Sequence, residues 1–265
     1  MTQQFKTILL TQRRQHSILF VQAIGVAIIV LIAFIAAGFF DFNRLSAGIP
    51  DLIDVIGNMF PPDFSNARNW LKPIIDTLAM SIAGTALAIA ISLPLAFLAA
   101  KTTSPNPFLY QGTRVVLNIL RAIPELIMGI IFVAAVGFGI LPGVLAVGLH
   151  SVGMVGKFFA ESIEHADHGP IEAIQAVGAD RFQVIYHSVL PQVLPQIVDV
   201  SLYRWEYNFR ASTIMGAVGA GGIGFELIGA LRLLQYESVG AILIVILVMV
   251  TIVDSFSSVL RRYLA

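Results

Sequence analysis

The sequence has no cysteine, few charged residues and no excess of either charge. The lack of cysteine excludes disulfides, thiolate metal ligands and cysteine nucleophiles. Sixteen Lys and Arg balance sixteen Asp and Glu, so the chain has no basic excess to neutralise a phosphate backbone, and nucleic acid is excluded as a partner. Hydrophobic residues make up 57% of the chain and charged residues 12%, with a mean hydropathy of +0.85. This balance predicts a membrane protein whose surface meets lipid.

Six apolar stretches are long enough to cross a bilayer, which takes about 20 residues of helix. The first is too long for the roughly 7–15 apolar residues of a cleavable signal, so we expect it to be a retained anchor. The predicted fold is therefore all-α, a polytopic membrane protein with about six transmembrane helices. The predicted spans are residues 17–40, 74–100, 115–137, 141–159, 189–211 and 239–259.

The basic residues predict the orientation of the chain, because Lys and Arg near span ends stay on the cytoplasmic side. With both termini inside, residues 1–16 and 261–265 are cytoplasmic ends, 41–73 is an external loop and 74–260 is the membrane core. We expect the external loop to carry a short amphipathic stretch before Pro61-Pro62 and to act as a lid or docking ledge. Basic residues on or near the inside are then Lys6, Arg13, Arg14, Lys101, Arg114, Lys157, Arg181, Arg261 and Arg262, against Arg44, Arg68, Lys72 and Arg232 outside.

The cytoplasmic loop 161–187 is patterned rather than loose. Gly169-Pro170 places proline at a helix's first turn, and Ile171, Ile174 and Val177 then form one apolar stripe. Gly178 is expected to end or bend this helix before a second turn returns the chain to the membrane. A short helix at about 169–182 either inserts into a groove on a soluble motor or lies on the lipid headgroups.

The loop also carries a spaced motif. Glu172-Ala173-Ile174, three residues, Gly178, nine residues and Ser188-Val189-Leu190-Pro191 resemble the EAA loop of ATP-binding-cassette importer permeases. Ile174 replaces the family's second alanine, and Ser188 replaces its isoleucine. In that family the loop docks on the ATPase and transmits its closure. The resemblance implies this coupling role for Glu172, Ala173, Gly178, Ala179, Leu190 and Pro191.

Three further segments, 121–125, 203–210 and 218–224, are similar to permeases of phosphonate or phosphite importers. The similarity extends over most of the chain from about residue 60. It implies a type I ABC importer (MetI-like) permease fold in the bacterial inner membrane, a homodimer, two cytoplasmic ATPase subunits and one periplasmic binding protein. It also implies a transport subunit rather than an enzyme, with ATP and magnesium held by the ATPase. Accordingly Gly156-Lys157 lacks the remaining residues of a P-loop.

Charged residues within spans are candidates for function, because an ionised group at mid-bilayer costs about 2.5–3.5 kcal/mol on insertion scales. Arg121 with Glu125, and Glu206 with Arg210, are four residues apart and are expected to form pairs, either in the translocation pathway or as staples at the interface. For Arg121 and Glu125 this requires a helix that continues through Pro124.

Arg204 has no such acidic neighbour. It either faces an aqueous cavity beside Tyr207 and Asn208, where it would contact an oxyanion, or pairs with Asp199 or a second copy of the chain. The candidate pathway residues are Arg121, Glu125, Arg204, Glu206, Asn208 and Arg210.

Other patterns carry weaker interpretations. Gly219, Gly221, Gly222 and Gly224 are predicted to bend the backbone at an external gate rather than to bind a dinucleotide, which needs a βαβ unit. His150 is expected to be a hydrogen-bonded interior histidine. A metal site is not expected, although the helical spacing of four side chains would allow one. The four side chains are Glu161, Glu164, His165 and His168.

The alternative function is an ion-coupled carrier for a small anion.

Overall fold

The computed structural model describes residues 2–264, with side chains from residue 16 onward, and every regular element in that range is helical. Residues 1 and 265 and the side chains of residues 1–15 lie outside the description. Lys6, Arg13 and Arg14, on which the predicted orientation partly depends, are among those side chains. The helices are α1 Thr2–Ala36, α2 Phe42–Gly57, α3 Leu71–Ala99, α4 Pro107–Ala122, α5 Glu125–Val136, α6 Ile140–Glu164, α7 His168–Ala176, α8 Arg181–Val184, α9 Leu190–Met215, α10 Ile223–Arg232 and α11 Tyr236–Leu264.

The chain divides into two compact units, one up to Asn58 and one from Met59 onward. The first unit contains α1 and α2. α1 includes an apolar stretch, Ile18–Ala36, that is long enough to span a membrane. α2 is the amphipathic helix predicted within residues 41–73 and begins at Asp41, whose carboxylate accepts a hydrogen bond from the backbone N–H of Arg44.

The second unit is a helical bundle around α3, α6 and α9. Small residues let these helices approach closely, which is the main source of helix association in lipid. A Cβ on Gly153 of α6 would lie only 2.6 Å from backbone atoms of α4, and one on Gly148 would lie 3.2 Å from the carbonyl oxygen of Gly84 in α3. Glycine at these positions therefore allows the close packing of α6 against α3 and α4.

Four helices are long and apolar enough to cross a membrane, or up to six if each of two bent pairs is one span. The unbroken spans overlap the predicted first, second, fourth and sixth stretches, although α1 ends at Ala36, four residues before the predicted end of the first. α9 contains the predicted fifth and continues to Met215, where a turn at Gly216–Val218 leads toward α10. The prediction of about six transmembrane helices is confirmed on this count.

The predicted third span, 115–137, is wrong as one continuous helix. α4 and α5 meet at an angle of 86° across Ile123 and Pro124. Proline has no N–H to donate and disfavours helical backbone in the residue before it, and Ile123 accordingly adopts an extended conformation (φ −81°, ψ 119°). Two helices therefore replace the single one.

Candidate functional site

The loop between α6 and α9 folds as its local signals indicate. Asp167 caps α7 by accepting a hydrogen bond from the N–H of Gly169, and Pro170 lies in the first turn. Gly178 follows the helix with a φ of +86°, a left-handed conformation that favours glycine. Asp180 then starts α8 with a capping box in which its side chain and that of Gln183 each bond the other's backbone N–H, at 2.9 Å.

The three residues of the predicted apolar stripe do not all face the same way. Ile171 and Ile174 pack against the bundle core, as does the half-buried Ala179, whereas Val177 is 83% exposed. The prediction that Val177 belongs to the stripe is therefore wrong, because Gly178 turns the chain before that side chain can reach the core. Five exposed residues of the loop, which we call the docking face after the role that the resemblance predicts, are Glu172, Ala173, Val177, Phe182 and Tyr186.

Phe182 and Tyr186 were not identified as candidate site residues from the sequence. They are 85% and 66% exposed, although both are large aromatic residues. The signal available in the sequence was the presence of two large aromatic residues in a segment that also carries Asp180, Arg181 and Gln183. Leu190 and Pro191, by contrast, form the first turn of α9, where Leu190 packs against the core and Pro191 is exposed.

The base of the loop is braced by two side chains from neighbouring helices. Gln192 of α9 accepts a hydrogen bond from the N–H of Asp167 at 2.8 Å and donates to the carbonyl of Ser188 at 3.0 Å. Glu164, the last residue of α6, accepts from Arg114 at 2.9 Å and from the N–H of Lys101 at 2.7 Å. These contacts connect both ends of the loop to the bundle.

The predicted pairing of Arg121 with Glu125 does not occur within the described residues. The break at Ile123–Pro124 ends the helix that would have placed both on one face, and Arg121 is exposed. One oxygen of Glu125 lies 3.4 Å from the hydroxyl of Tyr207 in α9, while its other oxygen is buried and has no hydrogen-bond partner in the described part of the chain. Glu125 therefore belongs with α9 rather than with α4.

The predicted pairing of Glu206 with Arg210 is also wrong. Arg210 binds both carboxylate oxygens of Asp254 in α11, at 3.0 and 3.1 Å. Glu206 pairs with Arg261, which also lies 3.9 Å from Asp199. Arg210 and Glu206 thus each connect α9 to α11, because the antiparallel packing of the two helices brings their side chains together.

Arg204 is buried, with 2% of its surface exposed. Its Nε donates to the hydroxyl of Ser151 at 2.8 Å, and its guanidinium stacks over the ring of Tyr207 at 4.2 Å. It does not pair with Asp199, which lies near Arg261. Its Nη2 is buried without a hydrogen-bond partner in residues 16–264.

Asn208 completes the polar cluster in the bundle. Its amide donates to Thr85 of α3 at 2.9 Å, and its oxygen accepts from Ser151 of α6 at 2.9 Å. All three side chains are buried. A buried amide that is satisfied on both sides connects three helices, so Asn208 is placed for structure as well as for function.

The glycine-rich turn after α9 bends the backbone. Gly219, Gly221 and Gly222 have φ values of +91°, +78° and +75°. Gly224 lies against the carbonyl of Thr213, where a Cβ would collide with backbone. The turn is connected to α3 through the N–H of Ile223, which donates to Thr77 at 2.9 Å. Its role as a gate remains a prediction.

His150 of α6 and His165, the residue that follows α6, make backbone contacts. His150 Nδ1 lies 3.0 Å from the carbonyl oxygen of Ile123, which places it at the break between α4 and α5. His165 Nδ1 contacts the carbonyl of Glu161 at 2.6 Å, and Glu164 is engaged by Arg114. Among the described residues no three His, Asp or Glu side chains are grouped so as to hold a metal ion.

Comparisons with known proteins agree with this geometry. A family described as binding-protein-dependent transport system inner membrane component matches residues 92–265. The phosphite transport system permease protein of Stutzerimonas stutzeri is 63% identical over 89% of this chain and 86% of its own length. The phosphate-import permease protein of Mycolicibacterium smegmatis is 40% identical over 87% of this chain and 44% of its own length.

A solved structure shares the fold. The inward-facing MetNI methionine ABC transporter superposes with a TM-score of 0.63 at 23% identity, over 74% of this chain and 96% of that one. At this identity the likeness concerns the fold alone.

Proposed function

The chain belongs to the family of binding-protein-dependent transport system inner membrane components, and from that premise we propose that it imports a phosphite or phosphonate oxyanion as the permease subunit of an ABC importer. The observation that carries the substrate class is the 63% identity with a phosphite permease over 89% of the chain. The chain is a multi-pass membrane transport component that works with an ATPase and a binding protein.

The assembly proposed is two copies of this chain, two cytoplasmic ATPase subunits that hold ATP and magnesium, and one periplasmic binding protein. Both termini are cytoplasmic in this arrangement, which places the docking face on the ATPase side. The distribution of basic residues supports the orientation.

Coupling is proposed to run through the docking face. Val177 and Phe182 are exposed apolar side chains on a loop that is held rigidly at its base by Gln192 and Glu164. Exposed apolar side chains surrounded by polar ones are typical of protein interfaces. A rigid base means that a displacement imposed by the ATPase moves α6 and α9 instead of being absorbed in the loop.

Arg204 is proposed as a transient contact for the anion. Its unpartnered Nη2 supports this role, since a buried donor without a partner is costly and needs an explanation. Tyr207, which stacks on Arg204 and reaches Glu125 of α5, closes the site in the present state. Separation of α5 from α9 would expose the guanidinium to substrate. A weak, transient contact suits a pathway from which the anion must leave.

The substrate proposal is tested by ATP hydrolysis in liposomes. The permease, its ATPase and its binding protein are reconstituted, and phosphite, methylphosphonate, aminoethylphosphonate and phosphate are supplied in turn. We expect phosphite or a phosphonate to stimulate hydrolysis most. Stimulation by phosphate alone would reassign the substrate, and uptake that follows the proton gradient instead of ATP would favour an ion-coupled carrier.

The coupling proposal is tested by Gly178→Asp. The left-handed backbone at Gly178 strains any L side chain, so we expect the loop to be displaced and ATPase association or coupling to be lost while membrane insertion is retained. Gly169→Ala is the matched control in the same loop, because its Cβ meets only Asp167, at 3.7 Å. Transport at the wild-type rate by Gly178→Asp would refute the coupling role.

The role of Arg204 is tested by Arg204→Gln and Arg204→Lys. We expect Arg204→Gln to reduce transport at least about tenfold, which corresponds to roughly 1.4 kcal/mol, and Arg204→Lys to keep part of the activity because it keeps the charge. The amount of assembled complex is measured in parallel. Wild-type transport and wild-type substrate-stimulated hydrolysis in Arg204→Gln would remove Arg204 from the pathway.

A further inference from the structure

α2 is a 16-residue amphipathic helix that buries none of its residues. Its large apolar side chains recur every three or four residues and therefore share one side, while Asn43, Arg44, Asp51 and Asp54 lie on the other. Every member of the apolar side is between 46% and 72% exposed. We call this side the α2 stripe, and it consists of Phe42, Leu45, Ile49, Leu52, Ile53 and Ile56.

The position of α2 along the chain limits what can cover the stripe. The apolar stretch Ile18–Ala36 of α1 is long enough to span a bilayer. The end of such a span, at Ala36, lies close to the bilayer surface. Only residues 37–41 separate that end from α2, so α2 begins within a few residues of the surface.

The connection between the two helices is an ordered turn. Gly38 adopts a left-handed φ of +71° and donates to the carbonyl of Ile35, and the N–H of Phe39 donates to Phe34. The Phe39 ring packs on Phe34 at 5.0 Å and on Phe40 at 5.8 Å between centroids. Asp41 then caps α2. The turn ends α1 and starts a separate helix at the level where lipid meets water.

We propose that α2 lies in the plane of the bilayer surface, with the α2 stripe buried among the lipid chains of the leaflet where α1 ends. An amphipathic helix with an apolar stripe and a polar opposite face is suited to this interface. In the orientation proposed above, this is the external leaflet. Bilayer lipid is therefore the partner of the stripe, which replaces the expectation that this part of residues 41–73 is a lid or docking ledge for protein.

The mixed charge of the opposite face agrees with that partner. This face carries Arg44 as well as Asp51 and Asp54, so the helix offers no surface of one sign that would attract an oppositely charged protein. Attachment then comes from the apolar stripe and not from anionic lipid. The proposal does not depend on the identity of the transported anion.

The absence of cysteine from the chain makes the test direct, because single cysteines can be introduced without a background. Ile49→Cys and Ile53→Cys report the stripe, and Asp51→Cys and Asp54→Cys are matched controls on the opposite side. Each is spin-labelled in the complete complex in liposomes, and its collision rates with oxygen and with a water-soluble nickel chelate are compared. We expect the oxygen-to-nickel ratio to be several-fold higher at residues 49 and 53 than at residues 51 and 54.

Two results would overturn the proposal. Similar nickel access at all four positions would show that the stripe lies in water. Exclusion of both reagents at residues 49 and 53 would show a protein partner, and its dependence on added binding protein would identify a docking ledge. The labels report the position of α2 even if no anion stimulates ATP hydrolysis, so failure of this proposal is distinguishable from failure of the proposed function.

Discussion

α1 and α6 are both candidate membrane spans, yet their surroundings are opposite. α1 contains the most hydrophobic of the four unbroken spans, and none of its span is buried within the chain. α6 is the least hydrophobic, and 61% of its span window is buried, with α3 at 33% and α11 at 28% between them. Among these four spans the more hydrophobic ones are the less buried, and α6, which packs against α3, α4, α5 and α9, has the weakest apolar signal of the four.

The reason lies in what drives helices together in a bilayer. Lipid chains are as apolar as leucine, so association depends on close approach and on polar contacts between helices. α6 carries glycines at positions 143, 148, 153 and 156 and the hydroxyl of Ser151, which contacts Asn208. The one glycine of α1, Gly25, has nothing within 4 Å of where its Cβ would lie.

The largest loss of stability is expected for Gly153→Val, with Gly25→Val as its control. A side chain at residue 153 would collide with the backbone of α4 at Leu117 and Arg121, so we expect a loss of at least about 1–3 kcal/mol and a sharp fall in assembled complex. Gly25→Val should leave the melting temperature unchanged. The measurement is thermal unfolding of the purified complex, and equal melting temperatures for the two variants would show that close packing of α6 is not the source of stability.

The next effect is expected from Asn208→Leu, compared with Gln22→Leu on the exposed α1. The first change removes an amide that serves both Thr85 and Ser151, and leaves those hydroxyls without that partner, at a cost of about 1–3 kcal/mol. Gln22→Leu should change stability by less than about 0.5 kcal/mol. Thermal unfolding again provides the measurement. A destabilised Gln22→Leu would mean that α1 is packed against protein after all.

A smaller effect is expected at the pair between α9 and α11. Arg210→Asp or Asp254→Arg alone places two like charges together, whereas the double exchange restores opposite charges across the same 3.0 Å contact. Both groups are over two-fifths exposed, so we expect a coupling energy of no more than about 1 kcal/mol. A double-mutant cycle on unfolding measures it. Additive losses would show that the two residues do not stabilise each other.

The smallest expected change in stability concerns Asp63, near the start of the second unit. Hydrogen bonds from the backbone N–H and the hydroxyl of Ser65, both 2.8 Å, hold the pKa of the Asp63 carboxyl below its ordinary value. A lowered pKa in the folded state means that the ionised carboxylate stabilises the fold above the unfolded pKa of about 3.9, and that this stability is lost as pH falls through the folded pKa.

We therefore expect the melting temperature of the wild type to fall more steeply than that of Asp63→Asn when the pH is lowered below about 4. The comparison is made by unfolding at a series of pH values. Parallel curves for the two proteins would show that the Ser65 contacts add no pH-dependent stability.

Local features were predictable because their causes lie within a few residues. Pro170, Gly178 and the Asp180 cap each act on their own turn of backbone, and the loop between α6 and α9 follows them. The glycine turn at residues 219–222 is predictable for the same reason. The bend at Pro124 had a local cause as well, but apolar composition on both sides concealed it as one span.

Partners of charged side chains were not predictable. Arg210 meets Asp254, which is 44 residues away, and Glu206 meets Arg261, which is 55 residues away. The i, i+4 rule considers one helix, whereas the neighbouring helix presents a stronger alternative. The burial of Arg204 beside Ser151 has the same origin, because a sequence does not state which helix covers which face.

Composition and pattern alone determined that this chain is a helical membrane protein, where most of its spans lie and that residues 161–187 contain a short helix ended by Gly178, because bilayer thickness and local backbone chemistry act on short stretches. Only the tertiary structure decided which span occupies the centre, which charges pair and that Phe182 faces outward while Ile171 packs inward. Those outcomes depend on contacts between helices, and in a bilayer such contacts follow shape and polar complementarity rather than hydropathy.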